Sequence, residues 1–200
     1  MATLREAQKQ MTRRRLLEEG LAAFAEQGYS STTIDDIATR VGATRATFYL
    51  HFGSKAELVR ALVERTDEML TSIDDPSLTE VVASGDRAAL KTWLGHKFDQ
   101  WPDIKDYIIV SHQAAAVEPD IQESIDSWFD DAIGNMQAGL DAAGRFDEGS
   151  RRIRCTIAFG ELEFFSVRWM RRGWLVDRDT ALETMTESWH HLLCDEVSGS

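Results

Sequence analysis

The sequence has few of the residues that would place it in a disulfide-bonded, proline-rich or membrane class. Of its 200 residues, 3 are proline and 2 are cysteine, which argues against a disulfide framework or a zinc site built from cysteines. No run approaches the roughly 18 apolar residues that span a bilayer, and no charged-then-apolar leader opens the chain. We therefore expect a compact cytoplasmic protein without membrane contact, in which Cys155 and Cys194 are buried thiols.

Motifs typical of enzymes are also missing. The chain has no glycine-rich phosphate loop, no serine elbow and no paired carboxylates at catalytic spacing. One group of potential metal ligands occurs near the C-terminus, and it comprises Glu187, His190, His191 and Cys194. These form two pairs that point about 100° apart on a helix, so one ion cannot easily bind all four. We expect no catalytic site, metal or cofactor.

Positive charge is scarce overall but collects at the N-terminal end. The formal net charge is -12, yet residues 1–65 carry 10 Lys or Arg against 8 Asp or Glu, whereas residues 66–200 carry 12 against 26. A pI near 4.8 would ordinarily argue against a nucleic-acid partner, but the local balance at the N-terminus matters more. The run Arg13–Arg15 fits either a solvated helix start or a phosphate or minor-groove contact.

Residues 33–52 have the pattern of two short capped helices joined by a glycine turn. Thr33 and Asp36 are spaced to form a capping box at the start of the first helix. Gly42 is suited to the left-handed conformation that ends a helix, and Thr44 can cap the second helix. Phe48 and Phe52 are four residues apart, which places both on the inward face of the second helix. This layout predicts a helix-turn-helix, a DNA-binding motif.

This segment resembles the TetR family of one-component transcriptional regulators. The family pattern is a glycine turn followed by small-x-x-Thr-hydrophobic-Tyr-x-x-Phe-x-Ser-Lys, and every element is present in the chain. The residues that carry the resemblance are Thr33, Ile34, Ile37, Ala38, Gly42, Thr44, Thr47, Phe48, Tyr49, Phe52, Ser54 and Lys55. The resemblance covers about Met11 to Leu70 and implies the rest only by architecture. Ala46 departs from the glycine of many relatives, which leaves the sequence preference open.

The resemblance implies a homodimeric, ligand-responsive repressor that binds a palindromic double-stranded DNA operator. It implies a helix-turn-helix domain at residues 10–70 and a helical ligand-binding and dimerisation domain at residues 71–200. An effector in the second domain would change the spacing of two recognition helices, which must lie about 34 Å apart on DNA. The alternative is a helical small-molecule-binding or metabolic protein with a vestigial helix-turn-helix, against which the intact caps argue.

The family pattern also suggests a role for each polar residue of the motif. Arg45 and Thr47 are expected at base edges and Ala46 near a thymine methyl group, because arginine can pair with guanine through two hydrogen bonds. Phosphates would be held through hydroxyls, helix N-termini and charge. The residues assigned to phosphates are Thr33, Thr44, Tyr49, His51 and Lys55.

Helical periodicity continues to the end of the chain, and no alternating strand pattern appears, so the spacing predicts an all-α protein. A first helix is expected over Thr12–Gln27 and a fourth from the Ser54 and Glu57 capping box to a break at residues 74–76. Pro102 is interpreted as another break. The later helices are expected at Asp86–Trp101, Asp103–Val117, Pro119–Ala143, Glu148–Arg172 and Asp177–Val197.

The aromatic residues concentrate after the helix-turn-helix, which suits an apolar or aromatic effector. Plain core packing is the alternative for each of them. The expected effector-binding residues are Trp93, Phe98, Trp101, Trp128, Phe129, Phe165 and Trp169. The last two helices carry apolar stripes that fit either the core or a homodimer interface, and the family resemblance favours the interface.

Overall fold

The computed structural model describes residues 4–72 and 75–194, and within these ranges it contains helices but no strand. The all-α prediction is confirmed. The helices are α1 (Leu4–Gln27), α2 (Ile34–Val41), α3 (Arg45–Tyr49), α4 (Lys55–Thr71), α5 (Leu78–Ser84), α6 (Arg87–Ala115), α7 (Pro119–Ala143), α8 (Glu148–Arg172) and α9 (Arg178–Leu193). Among the described residues, no helix is long and apolar enough to cross a lipid bilayer.

The first helix begins at Leu4 and not at Thr12, so it is longer than its apolar pattern indicated. Residues 4–11 are exposed throughout, so burial does not explain their helicity. Their sequence is rich in Arg, Glu, Gln and Lys, which have high intrinsic helix propensity and extend a helix that is anchored further along. The anchor is the apolar stripe that contains Leu17 and Phe24, both of which are buried.

The predicted break at Pro102 is wrong, because α6 runs without interruption from Arg87 to Ala115. A proline inside a helix removes one hydrogen bond and costs about 3 kcal/mol. Trp101 and Ile104 flank the proline and are 2% and 3% exposed. Burying two such side chains contributes about 1.5 to 3 kcal/mol each, which is enough to offset that cost.

The structure also differs from the predicted helices at α5, at the end of α9 and at the end of α4. The short helix α5 was not predicted, although Ser77 and Glu80 form a complete capping box and Gly85 ends the helix in the left-handed conformation. The last helix ends at Leu193, and Val197, where its end was predicted, lies outside the described residues. The predicted break at residues 74–76 also lies partly outside them, and α4 ends at Thr71.

The chain forms two compact units. The first contains the residues up to Met69 together with Ile104–Ile125, and the second contains Leu70–Asp103 together with the residues from Asp126 onward. The helix α6 contributes its first part to the second unit and its last part to the first. The division into domains at residues 10–70 and 71–200 stays a prediction.

Candidate nucleic-acid interface

The helix-turn-helix is held by local hydrogen bonds at each of its ends. The Thr33 hydroxyl accepts from the Asp36 amide at 3.2 Å, and the Asp36 carboxylate accepts from the Thr33 amide at 2.8 Å, which completes the capping box. Gly42 ends α2 with φ 73°, in the left-handed region. The Thr44 hydroxyl then accepts from the Thr47 amide at 3.2 Å and starts α3. Each of these caps was predicted from the sequence, and each is confirmed.

Below α3 lies an apolar core that fixes which face of the helix is outward. Phe48 and Phe52 are 0% and 1% exposed, and their ring centroids lie 5.8 Å apart. Because α3 is only five residues long, this anchoring leaves its other faces open. Arg45 and Ala46 are exposed, and Tyr49 is 46% exposed.

Arg45 does not extend freely from this surface. Its Nη1 lies 3.2 Å from Asp35 Oδ2 of α2, and its Nη2 donates to the Tyr49 hydroxyl at 3.4 Å. The hydroxyls of Thr44 and Thr47 are also paired, at 3.0 Å. The polar side chains of the motif therefore bind one another. Because these contacts are exposed, solvent or DNA can replace them at a small cost in free energy. Asp35 was not predicted to take part.

A group of basic side chains from α1 lies beside the end of the motif. The Arg13 guanidinium is 4.8 Å from the Phe52 ring centroid. The pKa of His51 is lowered, first by burial and then by the charges of Lys9 and Arg13, and its buried Nδ1 has no hydrogen-bond partner among the described residues. The exposed start of α1 therefore brings positive charge to the helix-turn-helix. The run Arg13–Arg15 alone did not distinguish this placement from a solvated helix start.

Lys55 is placed differently from the prediction that its ammonium group holds a phosphate. Its Nζ donates to the backbone carbonyls of Tyr29 at 2.7 Å and Thr32 at 2.8 Å, and it lies 4.3 Å from the Tyr29 ring centroid. Burial lowers the pKa of Lys55. In this conformation the ammonium group binds the turn between α1 and α2, so its contacts are those of a structural residue.

The predicted effector-binding residues do not form one group. All of them belong to the second compact unit, where Phe98, Trp101, Phe165 and Trp169 join Trp174 in an aromatic cluster with neighbouring ring centroids 4.3 to 6.1 Å apart. We refer to these five residues as the aromatic cluster. Trp174 was missed because it follows the glycine that ends α8 and so lies outside the helical periodicity.

The other predicted residues lie in two smaller groups. Trp128 and Phe129 of α7 pack around Phe159 of α8, with centroids 5.8 and 5.7 Å from that ring. Trp93 of α6 stacks on Trp189 of α9, with centroids 5.7 Å apart. The indole N–H groups of Trp93 and Trp189 are both buried and have no hydrogen-bond partner within residues 4–72 and 75–194. Phe159 and Trp189 were not predicted.

His190 and His191 lie in the last turn of α9. In the part of the chain that the structure describes, no three His, Cys, Asp or Glu side chains are grouped closely enough to hold a metal ion. Of the two cysteines, Cys155 is buried as predicted, whereas Cys194 is only half-buried. Burial raises the pKa of the Cys155 thiol to about 11, as expected for a packed, unreactive side chain.

The geometry defines the class of protein: a helical protein with a capped, outward-facing helix-turn-helix at its N-terminal end. Residues 16–62 match the model of the family described as bacterial regulatory proteins, tetR family. Residues 16–62 are therefore a TetR-family domain, as the sequence resemblance implied.

Known proteins support the same assignment. Residues of the chain are 44% identical to the HTH-type transcriptional regulator TtgR of Pseudomonas putida over 66 residues, which is 33% of this chain and 30% of that protein. They are 33% identical to the probable acrEF/envCD operon repressor of Escherichia coli over 119 residues, which is 60% of this chain and 47% of that protein. The matches thus span less than half the length of these relatives.

A solved structure extends the likeness to the fold of nearly the whole chain. The structure of SmeT in complex with triclosan superposes with a TM-score of 0.67, at 24% sequence identity, and covers 89% of this chain and 91% of SmeT. At this identity the comparison speaks for the helical architecture. The match to the family model is confined to residues 16–62.

Proposed function

We propose that this protein is a ligand-responsive transcriptional repressor that binds an operator as a homodimer. The observation that carries the proposal is the helix-turn-helix, whose caps are complete while its polar face is exposed. A segment kept only for packing would not need Arg45 and Tyr49 on an exposed face beside basic residues of α1. The relatives named as a regulator and an operon repressor support the same function.

On DNA, Arg45 is the residue proposed to recognise a base, with Ala46 against a thymine methyl group and Thr47 beside them. The proposed phosphate contacts come from the hydroxyls around the motif and from the basic end of α1. They comprise Thr33, Thr44, Tyr49, His51, Lys9 and Arg13. Lys55 is given a structural role instead, because its ammonium group is bound to two carbonyls.

The proposed dimer contact uses the exposed apolar face of α8. Ile153, Ile157 and Phe164 are 55%, 46% and 71% exposed, and their spacing of four and seven residues places them on one side of the helix. Gly160 lies between them with open space where a side chain would be. A contiguous apolar face of this kind usually marks a protein interface. A symmetric dimer would bury it against its own copy.

The proposed effector is an aromatic molecule that also carries a hydrogen-bond acceptor. Aromatic side chains fill the second unit and offer flat apolar contact. The unpartnered indole groups of Trp93 and Trp189 add two buried donors, and a buried donor without a partner gains stability when an acceptor reaches it. The triclosan complex of SmeT, a protein of the same architecture, fits this chemistry.

The test is binding to the DNA that flanks the protein's own gene, measured by mobility shift and fluorescence anisotropy against a scrambled duplex. We expect at least about a thousandfold preference for one site at physiological salt, which is the low end for specific binders. Equal affinity for both duplexes at every salt concentration would favour the rival, a small-molecule-binding protein with a vestigial motif.

A further inference from the structure

The turn between α1 and α2 is bound by side chains far away in the sequence. The Tyr29 amide donates to Gln113 Oε1 at 2.9 Å, and the Tyr29 hydroxyl donates to Glu118 Oε1 at 2.7 Å. Gln113 lies in the last turn of α6, and Glu118 lies directly before α7. All three residues belong to the first compact unit. The end of α6 thus holds the turn that precedes the helix-turn-helix.

Lys55 continues this set of contacts to the other end of the motif. Its Nζ binds the carbonyls of Tyr29 and Thr32, so the first residue of α4 is joined to the same turn. Thr32 immediately precedes Thr33, the residue that caps α2. We call Tyr29, Lys55, Gln113 and Glu118 the polar latch. It joins both ends of the helix-turn-helix to the end of α6.

The latch is centred on one buried side chain, Tyr29, whereas Glu118 and Lys55 are half-buried and Gln113 is exposed. Tyr29 is 2% exposed, and burial, followed by the hydrogen bond to Glu118, raises the pKa of its hydroxyl. The Glu118 charge also acts favourably on the Lys55 ammonium group. The hydrogen bond from Tyr29 to Glu118 is part-buried, and a hydrogen bond to a charged acceptor is short and sensitive to the alignment of both partners. A displacement at the end of α6 therefore strains or breaks these contacts.

We propose that Tyr29 and Glu118 are positioning residues for DNA binding: through the polar latch, the end of α6 sets the orientation of the helix-turn-helix. The inference rests on the proposed function, because it names the residues that orient the proposed DNA-binding motif.

The test uses Tyr29→Phe, which removes the hydroxyl but keeps the ring, and Glu118→Ala, which removes the acceptor. The matched control is Glu123→Ala, which removes an exposed carboxylate of α7. We expect each latch variant to bind the operator up to about tenfold more weakly, the effect of losing one part-buried hydrogen bond. The double variant should lose little more than either single variant, because both remove one interaction. The control should bind like wild type.

Hydrogen exchange of the amides of residues 28–36 supplies a readout that needs no DNA. Exchange there should accelerate in both latch variants, while the core amides of α8 and α9 keep their wild-type protection. Unchanged exchange in this segment, or additive losses of operator affinity in the double variant, would overturn the latch. If wild-type protein shows no operator preference, the proposed function fails, and the exchange data still decide whether the latch positions the turn.

Discussion

The helix-turn-helix and the helices after Leu70 are stabilised by different kinds of interaction. Between Thr33 and Lys55, each helix end is fixed by a hydrogen bond to a residue within a few positions in the sequence. In the second compact unit, by contrast, aromatic rings from separate parts of the chain pack on one another, as Trp101 does on Phe165 and Trp174. Local rules therefore specify the helix ends of the first region, whereas long-range packing specifies the second.

This difference explains which residues can change in each region. Capping needs particular side chains at particular positions, so the helix-turn-helix has little freedom to vary without losing its shape. An aromatic core tolerates exchange between large apolar side chains provided the volume is kept. The proposed effector-binding unit can thus vary while the helix-turn-helix keeps its form, in line with a family model that matches residues 16–62.

The largest expected effect is loss of the small core beneath α3. Phe48→Ala removes a fully buried ring and should lower the free energy of unfolding by about 3 to 5 kcal/mol. Leu50→Ala, two residues further on and 77% exposed, is the control and should change it by less than about 0.5 kcal/mol. Urea denaturation followed by circular dichroism checks both. Equal small effects would mean that this core does not hold the motif.

The next prediction concerns the apolar face of α8. Ile157→Asp should weaken the dimer about a hundredfold or more, because burying an unpaired carboxylate costs several kcal/mol. The control, Thr156→Asp, adds the same charge at an exposed neighbouring position that points to another side of the helix. Sedimentation equilibrium measures the association. A wild-type monomer of 22.6 kDa at micromolar concentration would contradict the proposed interface.

A third prediction separates base recognition from phosphate contact. Arg45→Ala should cost about 1 to 3 kcal/mol per half-site on the operator and much less on a scrambled duplex. Arg13→Ala should weaken both duplexes alike and reduce the slope of log affinity against log salt by about 0.9 per subunit. Salt titrations with both duplexes give the two quantities. Identical profiles for the two variants would refute this division of roles.

The smallest expected effect is a pH dependence from His51. Its pKa in the folded protein is lowered below the ordinary value of 6.5, so the unfolded chain binds the proton more readily. Stability should therefore fall as the pH decreases from about 6.5 toward the lowered pKa. His51→Gln should flatten this part of the profile, measured by thermal unfolding between pH 5 and 7.5. An unchanged profile would show that His51 does not contribute.

The sequence predicted the local part of the molecule well for a physical reason. Thr33, Gly42 and Thr44 act within one helical turn, so their spacing alone indicates their structure. Pro102 shows the limit, because the burial of its neighbours is not visible in the order of residues. Lys55 shows another: its charge suggested a phosphate, but the two carbonyls that bind it come from a turn more than 20 residues earlier. Trp174 required knowledge of how α6 and α8 pack.

On the proposed DNA-binding surface, we expect the ion pair between Arg45 and Asp35 to affect how the protein searches along DNA. When Arg45 meets a phosphate instead of guanine, it exchanges one anionic partner for another and gains little. Asp35, once released, then faces the negative DNA without compensation. Nonspecific complexes should consequently be short-lived. At a site with an accessible guanine, two hydrogen bonds from Arg45 to the base replace its lost contact with Asp35. An acidic residue on a DNA-binding surface thereby favours rapid release from wrong sites over tight binding everywhere.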